Sequence, residues 1–314
     1  MRKWTAIALC LFLWGCGKSA KVVTPLGIDE PDRVLYENAM KQMARHDYIV
    51  ARELLQTFIS SYQDSDYFQK AKYALAESYY REGGRENLDA AEASYKDFII
   101  YFRDSDLADD AQMMVAMTHI KRVQSPDRDN TEARLAELEL RDLINSYPNS
   151  DLLEEAKQKL RDVQEVLAAN NYGISKQYFK NKNYPASIDR FKEIASKFPD
   201  FSKMDEVLFY YAESLRLTES ADAAGKFYAE VVSDYPLSKY VKPASERLME
   251  LNLPVPPPNP AAMSRVPAQQ PDKGLFGKTV GAFKSHPAVP PNTGAATVGG
   301  KDGVFAIDSK SNKD

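Results

Sequence analysis

Three histidines, two cysteines and scattered carboxylate pairs are the side chains of this 314-residue sequence with the chemistry for catalysis or metal binding. His46, His119 and His286 have no Cys partner and no second His at metal-ligand spacing, so they read as turn or surface histidines. Acidic pairs such as Asp109-Asp110 and Glu154-Glu155 are placed like first-turn charges that favour a helix N-terminus. No Gly-x-Ser-x-Gly, Walker-type or dinucleotide-binding glycine pattern occurs in the central region. The sequence therefore predicts no enzyme, no cofactor and no metal. What remains is the chemistry of binding: Tyr, Met, Lys and Arg at helical spacing, and one thiol near the start of the chain.

That thiol is Cys16. Met1-Arg2-Lys3 is basic, the ten residues Trp4 to Leu13 are apolar, and Leu13-Trp14-Gly15-Cys16 follows. An apolar run of this length is a secretory signal, too short to cross a bilayer core of about 30 Å. The order resembles a bacterial lipobox, in which a small residue precedes the cysteine that is lipidated and becomes residue one of the mature chain; Trp14 is a bulky departure from it. Cys10 leaves with the signal, so no intramolecular disulfide is available and the core alone must hold the fold. Lipid on Cys16, followed by Gly17 rather than Asp, points by resemblance to lipoprotein sorting to the periplasmic face of the outer membrane, with outer-membrane lipid as the anchor's partner. Each buried methylene of the acyl chains adds about 0.8 kcal/mol. Removing Arg2 and Lys3 leaves 39 basic against 45 acidic residues, a balance with no footprint for nucleic acid.

The elements between these ends repeat. Phe-Ile-Ser-Ser-Tyr-Gln-Asp-Ser-Asp (58–66) has relatives ending on Phe102, Tyr147, Phe198 and Tyr235. Four residues before each aromatic stand Phe58, Phe98, Leu143, Ile194 and Val231; seven before, Leu55, Tyr95, Leu140, Phe191 and Tyr228; eleven before, Ala51, Ala91, Ala136, Ser187 and Ala224. These offsets keep one helical face apolar, and the small residue lets a second helix approach. Upstream, Ile174-Ser175, Tyr178 and Asn183-Tyr184 complete a pattern similar to the tetratricopeptide helix-turn-helix repeat. The reading is all-α: a superhelical stack of five such repeats over 31–252 with a C-terminal capping helix. Pro148, Pro199 and Pro236 stop the second helix of a repeat, and Asp66 with Gln69 or Asp151 with Glu154 would cap the next one. Residues 1–15 are the signal and 16–30 a lipidated linker. Ten of 18 prolines and seven of 14 glycines lie after residue 253, so 253–314 reads as a disordered tail.

In this register the first helices of repeats one to three present Arg33, Tyr36, Met40 and Met43, then Lys70, Tyr73, Tyr80 and Arg81, then Met113, Met117 and Lys121. Met and Tyr surfaces suit varied apolar side chains, and Lys and Arg suit a carboxylate. These residues are the candidate peptide-binding groove.

With a lipobox, five repeats, Asp129-Asn130-Thr131, Ser146-Tyr147-Pro148-Asn149-Ser150 and the run from Tyr172 to Asp189-Arg190, the chain resembles the BamD family over about residues 31 to 251. The resemblance implies a lipoprotein of the outer-membrane β-barrel assembly machinery. Its N-terminal repeats would receive unfolded β-barrel proteins, and its C-terminal repeats would dock on a POTRA domain of BamA. The family arginine at that contact falls on Arg190, beside Asp189. Asn171 stands where the family usually has an acidic residue. Two other readings share some of these features: a pilotin-type repeat lipoprotein escorting a secretin, and a cell-wall enzyme using the repeats as an adaptor.

Overall fold

The computed structural model describes residues 30–123, 129–218 and 221–263. Within them the chain pairs helices in order: α1 (Pro31–Ala44) with α2 (Tyr48–Ser61), α3 (Phe68–Glu82) with α4 (Arg85–Tyr101), and α5 (Ala108–Arg122) with α6 (Thr131–Ser146). α7 (Leu153–Lys180) with α8 (Tyr184–Lys197) and α9 (Met204–Arg216) with α10 (Ala221–Asp234) complete five pairs, and α11 (Val241–Glu250) closes the stack. Cys16 and the histidine at 286 lie outside the described residues.

The periodic positions do what their spacing predicts. Ala51, Ala91, Ala136, Ser187 and Ala224 are all 0% exposed. Leu55, Tyr95, Leu140, Phe191 and Tyr228 are buried one turn further on. The long spacing between the third and fourth copies comes from α7, which runs for 28 residues. Its first half reaches back to α6 through a Gln164 Nε2 bond to Glu137 Oε1 at 2.9 Å, and its second half pairs with α8, where Ser187 Oγ donates to the Ser175 carbonyl at 3.2 Å.

The turns between repeats correct one detail of the sequence reading. The capping side chain is the serine three residues after the aromatic, not Asp66 or Asp151. Ser65 Oγ accepts from Tyr67 N at 3.1 Å, Ser105 Oγ from Leu107 N at 3.3 Å, Ser150 Oγ from Leu152 N at 3.0 Å and Ser238 Oγ from Tyr240 N at 3.0 Å. A serine hydroxyl reaches the amide two residues on within a single turn. The backbone repeats as well: Ser65 N bonds Tyr62 O and Phe68 N bonds Ser65 O, and the other four turns do the same. In the fourth copy the buried Phe201 takes the serine's place, and Glu165 of α7 accepts from Ser202 N at 2.9 Å instead.

The helical stack ends where the composition changes, with Asn252 at a φ of 54° just after α11. The described chain nonetheless continues along α10 as an extended strap, Leu253 to Asn259, and ends in a single turn, α12 (Pro260–Met263). Leu253 sits so close over Gly225 that a Cβ there would lie 2.2 Å from its Cδ1. Glycine at 225 is what lets the strap lie down.

Candidate functional site

The predicted groove residues divide into packing and surface. Tyr36 is 2% exposed, Met113 0% and Met117 5%. Met43 is buried too. These four belong to the interior, because the helical period that gathers them on one face is the period of the face that packs on the neighbouring helix. Tyr36 stacks on Tyr67 and meets Phe58 edge-on, and burial pushes its hydroxyl pKa up to about 12. Tyr73 is half-buried, wedged edge-on against Tyr95 and Phe98.

Arg33, Met40, Lys70, Tyr80 and Arg81 keep part of their surface. Two of the three cations are already engaged: Arg33 pairs with Glu37 at 2.8 Å and Glu30 at 3.3 Å, and Arg81 Nη2 meets Glu77 Oε1 at 2.6 Å. Lys70 lies 5.7 Å over the Tyr67 ring. Lys121 Nζ sits 4.0 Å over the Tyr80 ring and donates to the Tyr80 carbonyl at 2.8 Å. Burial lowers its pKa, so an incoming carboxylate would find a cation that is poorly hydrated.

The fourth-repeat pair is displayed on α8. Asp189 is exposed, and the Arg190 side chain is 41% exposed with an i,i+3 bridge to Glu193 at 3.3 Å. Such a bridge is worth little, so the guanidinium is available for exchange. The Asp129-Asn130-Thr131 signature proves to be a helix start: Asp129 Oδ1 accepts from Thr131 N at 3.0 Å and from Thr131 Oγ1 at 2.7 Å. Asn171 is buried on α7, where its carbonyl accepts from Ser175 Oγ at 2.7 Å.

His119 is not a surface residue. It is 1% exposed, with Nδ1 2.9 Å from Glu132 of α6 and Nε2 3.5 Å from Glu92 of α4. Arg122 pairs with Asp89, Glu92 and Glu132, and Lys96 with Glu92 and Glu139. The ring therefore belongs to a charge network joining repeats two and three, for which its sequence position carried no signal because both carboxylates come from other helices. Among the described residues no cluster of His, Cys, Asp and Glu is placed to hold a metal, and no helix is long and apolar enough to cross a membrane.

Sequence reasoning also missed two carboxylate hubs two turns apart on one face of α9. Glu206 takes Lys176 of α7 at 3.2 Å, and burial together with this carboxylate raises the hydroxyl pKa of Tyr172 and Tyr240. Glu213 accepts from Tyr228 Oη at 2.5 Å, Arg247 Nε at 2.8 Å and Arg216 Nη2 at 2.7 Å. Together they tie α7, α9, α10 and α11 into one block.

A sequence model described as "YfiO: Outer membrane lipoprotein" matches residues 28–227, from the first repeat well into α10. This chain belongs to that family, the BamD family. Curated relatives named outer membrane protein assembly factor BamD agree along most of the chain. The Vibrio cholerae protein is 25% identical over 229 residues, covering 69% of this chain and 92% of its own length. That of Caulobacter vibrioides is 23% identical over 223 residues, covering 70% and 72%. Among solved structures, the TPR2AB domain of yeast Sti1 in its pHSP90 complex overlaps 70% of this BamD-family chain and 89% of its own at 12% identity, with a TM-score of 0.35.

Proposed function

We propose that the chain is a periplasmic scaffold, held on the outer membrane by lipid at Cys16, that serves the assembly of outer-membrane β-barrel proteins. In this reading repeats four and five dock on a POTRA domain of BamA, and the first helices of repeats one to three receive unfolded barrel segments. The supporting observation is the family match running through both regions, with Arg190 exposed on α8 and engaged only within its own helix.

A guanidinium that can leave an exposed bridge is suited to a bidentate bond with a partner carboxylate. Losing one member of such a buried pair costs about 2 to 5 kcal/mol, at least about a thirtyfold loss of affinity. Arg190→Glu is therefore expected to lose BamA on purification from membranes, while Arg161→Glu, exposed on α7, retains it. Equal losses would reduce the effect to general surface charge, and equal retention would remove Arg190 from the contact.

The peptide surface now rests on Met40, Lys70, Tyr80 and Lys121 rather than on the buried tyrosine and methionines. An apolar anchor there would gain about 1.5 to 3 kcal/mol, so binding should be weak and reversible once ordering costs are met. A photo-crosslinker at Tyr80 is expected to capture a barrel peptide ending in Phe in preference to one ending in Asp. Equal capture of the two would move the substrate site elsewhere.

A further inference from the structure

The strap after α11 has a burial pattern that its packing role does not use up. From Leu253 to Pro260 the sequence is Leu-Pro-Val-Pro-Pro-Pro-Asn-Pro. Each of these residues either is a proline or precedes one. Proline fixes φ near −65°, and the residue before a proline is pushed to the extended region. Local sterics thus leave this segment the polyproline II helix, with three residues per turn.

Burial follows that period. Leu253, Pro256 and Asn259 are half-buried against the fold, and the turn that follows, α12, buries Ala262. Leu253 fits over Gly225. Asn259 N donates to the Ser233 carbonyl at 2.9 Å, and its Nδ2 to Asp234 Oδ1 at 3.2 Å. The strap is thereby fixed to α10 at both ends, and one of its three edges is spent.

The other two edges face outward. Pro254 and Pro257 are exposed on one, Val255 and Pro258 on the other. Charged residues are absent from Leu251 to Met263, so nothing on this ridge selects a partner by charge. Its prolines have no amide hydrogen, which leaves their carbonyls as acceptors. At about 3.1 Å per residue the extended part presents roughly 20 Å of rigid apolar surface.

We propose that this ridge is a preorganised proline ligand, displayed on the fifth repeat for a partner protein whose groove is lined by Trp or Tyr. Aromatic rings pack between successive outward prolines, and indole or phenol donors reach the exposed carbonyls, which is how polyproline segments are read. Anchoring on α10 has already met the ordering cost that a free peptide would meet on binding.

The test places a photo-crosslinking phenylalanine analogue at Val255 or Pro258, and separately at the inward Pro256, in the full chain expressed in cells in place of the wild type. The outward positions are expected to give one discrete intermolecular adduct, its attachment point within a few residues of a Trp or Tyr of the partner. Pro256 is expected to give chiefly adducts internal to the chain. Combining Pro254→Ala and Pro257→Ala should lower the outward yield by about tenfold. Neither proline carries an anchor contact; if thermal unfolding of the pair nevertheless shifts, Pro257→Ala alone is scored. The proposal is overturned if the outward positions give no intermolecular adduct, if the adduct maps to a surface without aromatic residues, or if its yield is indifferent to the prolines. Any of these would make the strap a structural brace only.

Discussion

Replacing Glu213 by alanine is expected to destabilise the C-terminal repeats by about 3 to 5 kcal/mol, the cost of removing one member of a buried charged set. The residue is 7% exposed, and its two oxygens serve Tyr228, Arg216 and Arg247. Truncation takes the carboxylate partner from Arg216 beside a buried tyrosine and leaves Arg247 only its exposed bridge to Glu250. Urea unfolding followed on α9 to α11 measures the loss, and a change below about 1 kcal/mol, the worth of an exposed pair, would show the hub to be solvated. The same carboxylate sets a pH dependence. Burial alone would raise its pKa, but the hydrogen bonds from Arg216, Tyr228 and Arg247 outweigh burial and hold it below the ordinary 4.5. With the folded value below the unfolded one, the stabilisation is complete above the unfolded value and is lost as pH falls through the folded one. Between about pH 5 and pH 3 the wild type should therefore lose more stability than Glu213→Gln.

The second repeat shows why the hub could not be read from sequence. Ala76-Glu77-Ser78 and Ala212-Glu213-Ser214 are the same tripeptide at the same place in the first helix of their repeats, and Tyr95 corresponds to Tyr228. Glu77 instead has its pKa raised by burial, which the neighbouring Arg81 does not overcome, and among the described residues the Tyr95 hydroxyl has no hydrogen-bond partner. Arg81 approaches from four residues along the same helix. Arg247 reaches Glu213 from α11, a contact set by how neighbouring helices stack and not by either motif.

What the sequence did disclose follows the same logic. Positions filled by periodicity, such as Ala51 and Phe191, were legible because one helix face must be apolar whatever lies opposite. Partition of that face between packing and binding was not. Tyr36 and Met113 have the residue types of a peptide groove and the burial of a core, and only the neighbouring helix decides between the two. Asp189 and Arg190 lie on the part of α8 that keeps some exposure, and α8 follows the repeat register without interruption. The strap escaped notice because proline richness suggests disorder until a glycine such as Gly225 is found beneath it.

Stacked repeats also dictate how far a core lesion spreads. Phe58 and Phe191 are both 0% exposed, and truncating either to alanine is expected to cost about 3 to 5 kcal/mol. Their surroundings differ. Phe58 lies in a small cluster with Tyr36, Ala39, Leu55, Ala71 and Ala74, confined to α1, α2 and the first half of α3. Phe191 lies in a cluster that runs from Met113 in α5 to Leu248 in α11. In an array whose units touch only their neighbours, stability is a sum of local and interface terms, so a lesion unfolds as much chain as shares its core. Phe58→Ala is expected to speed amide exchange in α1 and α2 while leaving α7 to α11 protected. Phe191→Ala should lower protection across α6 to α11 together, removing the Arg190 surface and the strap's footing at once. Uniform loss along the chain in both variants would mean that the separate clusters fold as one cooperative unit, and that the first repeat cannot open to a substrate while the docking end stays intact.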